Sequence, residues 1–147
     1  MTTYVGIDPG ASGAMCLLFE DGTIEFYDFK KGGIRSYATI LGAKTDIIAV
    51  ELVHSFSNQG VKSMFSFGQR LGELHGMLQT LDLPYVEVRP QAWQKACGVV
   101  PKSGKKGIHA TISVLYPDAS LVGPRGGLID GRCDALGIAH YLKEINE

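Results

Sequence analysis

The feature that most restricts the fold is a short apolar run in the middle of the chain, DIIAVELV at residues 46–53. Its β-branched and aliphatic residues follow one another almost without a polar break, which predicts a strand buried on both faces. Strands of this kind belong to parallel sheets, whose two faces are covered by helices. We therefore expect an α/β fold with this strand inside the sheet.

One carboxylate interrupts the buried run. Glu51 stands between Val50 and Leu52, where a bare charge is very costly. The residue must then be paired, hydrogen-bonded, protonated or bound to a cation, which makes it a candidate functional group. The alternative is an edge strand that turns Glu51 toward water, and the apolar residues on both sides argue against it.

Three strands are predicted before this run and one after it. Residues 4–7, 14–19 and 24–29 are short apolar segments, and Asp21-Gly22 separates the second from the third. Asp-Gly between apolar runs predicts a hairpin, because Gly takes the positive φ of the turn. The first three strands should form an antiparallel meander, and residues 85–88 should form a fifth strand.

The first strand ends in a second carboxylate, Asp8. Pro9 follows it and has no N–H for a sheet ladder, so regular pairing should end there. Gly10 and Gly13 then make a tight turn. Asp8 is either a functional group held at a strand end or a turn residue that satisfies backbone amides.

Helices are predicted at residues 33–42, 58–81, 91–97, from 105 or 106 to 115, and 129–145. The longest has an apolar stripe and also a ridge of three glycines four residues apart, Gly68, Gly72 and Gly76. Each Gly costs about 1 kcal/mol of helix propensity relative to Ala. A close backbone contact along the ridge should offset this cost. That contact is with the protein's own sheet or with a second subunit.

Two further acids stand at the start of the last helix. Asp130 and Asp134 are four residues apart and project from one helix face. They either complement the helix dipole or join Asp8 and Glu51 in one cluster. Hard divalent cations, Mg²⁺ or Mn²⁺, best relieve the repulsion among four such carboxylates. A site of this kind suits two ions about 3.5–4 Å apart that flank an in-line attack on phosphorus.

The net charge is −1, but the cations are unevenly distributed. No acidic residue occurs between Glu87 and Asp118, and this segment contains five basic residues. It therefore predicts a contact with phosphate, the alternative being a solvated loop. Cations at a helix start are disfavoured by the dipole unless an anion binds there. The five are Arg89, Lys95, Lys102, Lys105 and Lys106.

The length of 147 residues and 45% hydrophobic content predict one compact domain over residues 1–147. No apolar run approaches the roughly 20 residues of a membrane helix, and the first residues lack signal-peptide features. We therefore expect no membrane partner. The three cysteines are scattered and form no C-x-x-C pair, which predicts a reducing cytoplasm and no structural zinc.

Four motifs together resemble a known family: Gly6-Ile-Asp-Pro-Gly10, the strand with Glu51, the helix with Gly68-Gln-x-x-Gly72, and Asp130-Gly-Arg-x-Asp-Ala135. Over nearly the whole chain, the sequence resembles RuvC-type Holliday-junction resolvases, closest to phage-encoded members. The resemblance implies a ribonuclease H-like fold, a five-stranded mixed sheet with helices on both sides. It also implies a Mg²⁺-dependent homodimer, in the host cytoplasm if phage-encoded, that resolves four-way and other branched DNA by paired phosphodiester hydrolysis.

The same resemblance assigns roles to particular residues. It gives the catalytic and metal-binding roles to the four acids, Asp8, Glu51, Asp130 and Asp134. It puts Lys105 or Lys106 near a DNA-contacting lysine. It also puts Phe56 near an aromatic residue that meets bases at the junction centre.

The sequence departs from the family pattern at three points. Many bacterial members space the last two acids three apart, whereas here Gly131 stands three residues before Asp134. His54, not Phe56, is three residues after the Glu51 position. Lys95, the nearest second basic residue, does not align cleanly.

Two other function classes remain open from the sequence. The glycine turn after the first strand also resembles the phosphate loop of actin-like sugar kinases and ATPases. Those enzymes clamp nucleotide between two such domains, and 147 residues supply one. A module that binds branched DNA without cutting it is the other class, and the complete set of acids argues against it.

Overall fold

The computed structural model describes residues 1–42, 47–53 and 60–147. The strands are β1 (Thr3–Asp8), β2 (Ala14–Phe19), β3 (Ile24–Asp28), β4 (Ile47–Glu51) and β5 (Tyr85–Val88). The helices are α1 (Phe29–Leu41), α2 (Val61–Thr80), α3 (Pro90–Cys97), α4 (Gly104–Leu115) and α5 (Asp130–Asn146).

The five strands form one mixed sheet in the order β3-β2-β1-β4-β5. The β1–β2 and β2–β3 pairs are antiparallel, and the β1–β4 and β4–β5 pairs are parallel. The hairpin turn between β2 and β3 has Gly22 at φ 91°. The predicted meander with added parallel strands is therefore confirmed.

Strand β4 lies inside the sheet, as its apolar sequence predicts. Ile48, Ala49 and Val50 are buried, and β1 and β5 pair with its two edges. The edge-strand alternative for Glu51 is therefore excluded. Glu51 is the last residue of this strand.

Helices cover both faces of the sheet and give it two hydrophobic cores. On one face the core includes Trp93 of α3, Ile112 of α4 and Leu136 of α5. On the other face it includes Tyr37 of α1 and Leu74 of α2. No helix in the described part of the chain is both long and apolar enough to cross a membrane.

The boundary between β3 and α1 differs from the sequence prediction, and the start of α2 is not tested. Phe29, expected at the end of β3, is the first residue of α1, and Gly33 with φ 60° and ψ −161° interrupts that helix. Helix α2 is described from Val61 onward, and the predicted start at residue 58 lies outside the described residues.

The face of α2 that carries the glycines does not pack on the sheet. Val61 is 86% exposed, and Phe65 is 72% exposed. Gly68, Gly72 and Gly76 are also exposed, and a Cβ at any of them would meet no described atom within 4 Å. Packing of this ridge on the protein's own sheet, one of the two predicted alternatives, is therefore wrong.

Candidate metal centre

Two parallel strands deliver the first two carboxylates. Ile7 of β1 is in register with Val50 of β4, so Asp8 and Glu51 follow at the same edge of the sheet. Pro9 and the glycine turn end β1 directly after Asp8, which keeps this edge open. The position of the two acids thus follows from strand pairing.

Helix α5 delivers the third carboxylate because it lies unusually close to β1. A Cβ at Gly6 would overlap the carbonyl oxygen of Ala135, and one at Gly131 would overlap the backbone of Ser12. The absence of these two side chains lets the helix rest on β1 and on the glycine turn. Asp134, one residue before Ala135, thereby reaches the end of the sheet.

The carboxylates of Asp8, Glu51 and Asp134 converge in the folded chain. Each offers an oxygen, and these three atoms lie within 4.8 Å of one another. All three residues are partly buried. Three of the four acids singled out in the sequence therefore form one cluster that could hold a metal ion.

Asp130 stands at the rim of this cluster. Its Oδ2 lies 3.2 Å from Nζ of Lys105, and its side chain is 41% exposed. It is not among the three acids that converge. Its charge still contributes to raising the pKa of both Asp8 and Asp134.

Burial and mutual repulsion make the charged cluster unfavourable without a cation. Burial, followed by the charges of Asp134, Glu51 and Asp130, raises the pKa of Asp8 well above its ordinary value. Burial and the neighbouring acids raise the pKa of Asp134 to about 7. Burial also raises the pKa of Glu51, against a hydrogen bond from Trp93 that lowers it. A bound divalent cation would relieve the repulsion among the three carboxylates and favour their charged forms.

Two acids of the cluster, Asp8 and Asp134, line a cleft of about 990 Å³. The turn 10–13 also lines this cleft. Five residues of α2 contribute to its lining, namely Lys62, Ser63, Ser66, Phe67 and Arg70.

Of the cations predicted to contact DNA, Lys105 lines this cleft. Arg89, Lys95, Lys102 and Lys106 are exposed on the surface outside its lining, and Phe56 lies outside the described residues. Sequence reasoning missed Lys62 and Arg70. Their spacing with Ser66, four residues apart, indicates one shared helix face, but the sequence does not show that this face lines the cleft.

An ion pair fixes the start of α5 against the sheet. The Nε and Nη2 atoms of Arg132 donate to the two carboxylate oxygens of Asp28 at 2.9 and 2.8 Å, and Nη1 donates to the carbonyl oxygen of Ser120. The guanidinium lowers the pKa of Asp28. Since Arg132 lies between Asp130 and Asp134, this contact helps hold both acids at the cleft.

Comparison with known proteins identifies the fold. No protein-family profile and no curated protein sequence matches the chain. Thermus thermophilus RuvC in complex with a Holliday junction substrate is 14% identical, with 96% of this chain and 92% of that chain covered and a TM-score of 0.59. The fold is that of RuvC. A second Thermus thermophilus RuvC structure is 16% identical with 95% of each chain covered and a TM-score of 0.56.

The RuvC-like fold agrees with the ribonuclease H-like sheet expected from the sequence motifs. In this fold the chain places its acids at the carboxyl ends of β1 and β4, the usual location of sites in sheets of this type. The acidic cluster and its cleft are therefore the candidate functional site.

Proposed function

We propose that this protein is a metal-dependent endonuclease that resolves four-way and other branched DNA. The observation that carries the proposal is the convergence of Asp8, Glu51 and Asp134 in a RuvC-like fold, with Asp8 and Asp134 lining an open cleft. We assign residues 1–147 to one nuclease domain and place it in the cytoplasm. Its three free, buried cysteines suit a reducing compartment.

The acids fit a hard divalent cation. The cluster is made of carboxylate oxygens, which Mg²⁺ and Mn²⁺ prefer. We propose that Asp8, Glu51 and Asp134, with Asp130 at the rim, hold two Mg²⁺ ions, and that Mn²⁺ substitutes. When bound, such ions polarise the phosphate and lower the pKa of the attacking water.

The walls of the cleft position the DNA strand. Lys62 and Arg70 on α2 and Lys105 on α4 hold its phosphates over the acids. An incoming phosphate competes with Asp130 for Lys105, because that lysine lies 3.2 Å from the acid without DNA. The arrival of DNA thereby frees Asp130 for the metal centre. The exposed cations Arg89, Lys95, Lys102 and Lys106 extend the interface, and Phe56 meets bases at the junction centre.

A direct assay tests this function. The protein is incubated with Mg²⁺ and either a synthetic four-way junction or a linear duplex of matched sequence, and the products are separated on a denaturing gel. We expect cuts in the junction and none in the duplex. Equal cutting of both would replace the proposal with an unselective nuclease, and binding of ATP without cleavage would favour the actin-like alternative.

The basic residues at the start of α4 give a quantitative prediction. Replacing Lys105 and Lys106 with Gln should weaken binding to all DNA sequences and reduce the log–log salt slope by up to about two, because each phosphate contact contributes about 0.9. Fluorescence anisotropy at several salt concentrations measures the slope. Lys143→Gln, near the far end of α5, is the matched control. An unchanged slope in the double variant would place these lysines away from DNA.

We further propose that the active species is a homodimer joined through the exposed face of α2. A four-way junction needs two cuts related by its approximate two-fold symmetry, and a two-fold dimer supplies two matching sites. Val61, Phe65, Gly68, Gly72 and Gly76 are spaced along one helix face and are all exposed. Apolar side chains beside small residues suit close packing against a second copy.

Gly72→Leu tests this contact. A Cβ at Gly72 would meet no described atom within 4 Å, and the residue is exposed, so the fold of each subunit should be retained. We expect the sedimentation profile to shift toward monomer and a cruciform plasmid to acquire mostly single nicks. Ala110→Leu, at an exposed position of α4, should leave both unchanged. Wild-type protein that cuts both strands while sedimenting on the junction as a monomer would contradict the dimer.

A further inference from the structure

A buried tryptophan lies behind the candidate metal centre. Trp93 is the chain's single tryptophan, and none of its surface is exposed. Its indole Nε1–H donates a hydrogen bond to Oε2 of Glu51 at 2.7 Å. The contact joins α3 to the carboxyl end of β4, and the two residues are 42 positions apart in the sequence.

The indole ring has little freedom to move. Its six-membered ring lies against the backbone of α5 at Gly137, where an added Cβ would be 2.5 Å from a ring carbon. Ile112 of α4 packs at the same point. The ring is thus held between three helices, and the direction of its N–H is fixed with it.

We propose that Trp93 is a positioning residue that sets the orientation of the Glu51 carboxylate toward Asp8 and Asp134. A hydrogen bond to one carboxylate oxygen from a rigid donor restricts rotation of the side chain, as outer partners of metal ligands commonly do. The inference rests on the proposed function, since it gives Glu51 a role as a metal ligand. A simpler alternative is that Glu51 merely satisfies a buried N–H.

Trp93→Phe separates the two explanations because it keeps an aromatic ring and removes the donor. Outer partners of metal ligands typically contribute about 10- to 100-fold to metal affinity, so we expect Mn²⁺ binding to weaken by roughly 10-fold or more. Electron paramagnetic resonance of free Mn²⁺ measures the affinity without DNA or cleavage. In a Glu51→Ala background the same Trp93→Phe change should not alter Mn²⁺ affinity, because the carboxylate that Trp93 orients is missing.

Ile112→Val is the matched control for packing. It removes one methyl group from the cluster around Trp93 and Gly137 and leaves the hydrogen bond to Glu51 intact. We expect its Mn²⁺ affinity to equal that of the wild type. If Trp93→Phe binds Mn²⁺ like the wild type, or weakens binding equally with and without Glu51, the positioning role is overturned.

A measurement on the wild type keeps the test independent of whether the variant folds. A single tryptophan gives one indole ¹H–¹⁵N signal in the NMR spectrum. Mg²⁺ should shift this signal, and Mn²⁺ should broaden it, because its N–H bonds directly to Glu51. If the protein binds Mg²⁺ and the chemical shift of this signal does not change, the positioning role alone is overturned. Failure of the wild type to bind either ion overturns the metal centre of the proposed function instead.

Discussion

Asp8→Asn is expected to lose at least about 1,000-fold of its Mg²⁺-dependent cleavage of a four-way junction while binding the junction as the wild type does. Asn keeps the shape of the side chain and removes the charge of a proposed metal ligand. Loss of one preorganised electrostatic group costs on the order of 10²–10³ in kcat. One carboxylate oxygen of Asp8 lies within 4.8 Å of an oxygen of Glu51 and of Asp134, so the decrease caused by Asp8→Asn should reach the upper end of that range or exceed it.

Asp8→Asn should still bind the four-way junction, because we assign DNA binding to other residues. Lys62, Arg70 and Lys105 line the same cleft as Asp8 and supply its positive charges. Removing a negative charge there also reduces repulsion of the phosphate backbone. The expected result is therefore an intact mobility shift with no cleavage product.

Three comparisons make this experiment specific. Asp134→Asn should behave like Asp8→Asn, since both belong to the cluster. Asp130→Asn should be impaired to a smaller extent, because its carboxylate stands at the rim beside Lys105. Asp118→Asn, an exposed acid in the connection between α4 and α5, should cleave normally. Substantial Mg²⁺-dependent cleavage by Asp8→Asn would remove the proposed metal centre.

The parts of this site that follow from local pattern could be predicted from the sequence. The apolar run around Glu51 indicates a central parallel strand, and Pro9 indicates where β1 ends. Once β1 and β4 are parallel neighbours, Asp8 and Glu51 must meet at one edge. The four-residue spacing before Asp134 likewise indicates a single helix face.

The parts that depend on how helices lie over the sheet could not be predicted. Whether a face of α2 meets the sheet, the cleft or solvent is set by tertiary packing, so the exposure of Val61 and the place of Arg70 in the cleft were hidden. The contact of Trp93 with Glu51 joins residues with no common local pattern. The ion pair between Asp130 and Lys105, with Asp130 at the rim of the cluster, likewise depends on how α4 and α5 pack together.

The second large effect is a gain of stability on removing an acid from the cluster. Asp134→Asn should stabilise the metal-free protein at pH 8, by up to roughly 4 kcal/mol. Burial and the neighbouring acids raise the pKa of Asp134 from 3.8 to about 7 in the folded chain. Each unit of that shift is about 1.4 kcal/mol of preference for the protonated form. At pH 8 the wild type must hold this group charged, and Asn has no charge.

The pH dependence has a definite sign. Between pH 4 and about 7 Asp134 is protonated to a greater extent in the folded chain than in the unfolded chain, so the contribution of this group to stability falls as the pH rises through this window. The gain from Asp134→Asn should therefore be full at pH 8 and nearly absent at pH 4. Urea unfolding of metal-free protein at the two pH values measures it, with Asp118→Asn as the unaffected control.

Magnesium should narrow the difference in stability between the two proteins. An ion that binds the folded state at 100 times its Kd adds about 2.7 kcal/mol, and the wild type gains this term while Asp134→Asn gains little. Saturating Mg²⁺ at pH 8 should thus close most of the gap between the two proteins, and a second ion should close it fully. This result would mean that the carboxylates lower the stability of the metal-free fold and raise its affinity for the cation. If Asp134→Asn is less stable than the wild type in metal-free buffer at pH 8, the carboxylates are not held in mutual repulsion, and the physical reason for a metal at this edge of the sheet is lost.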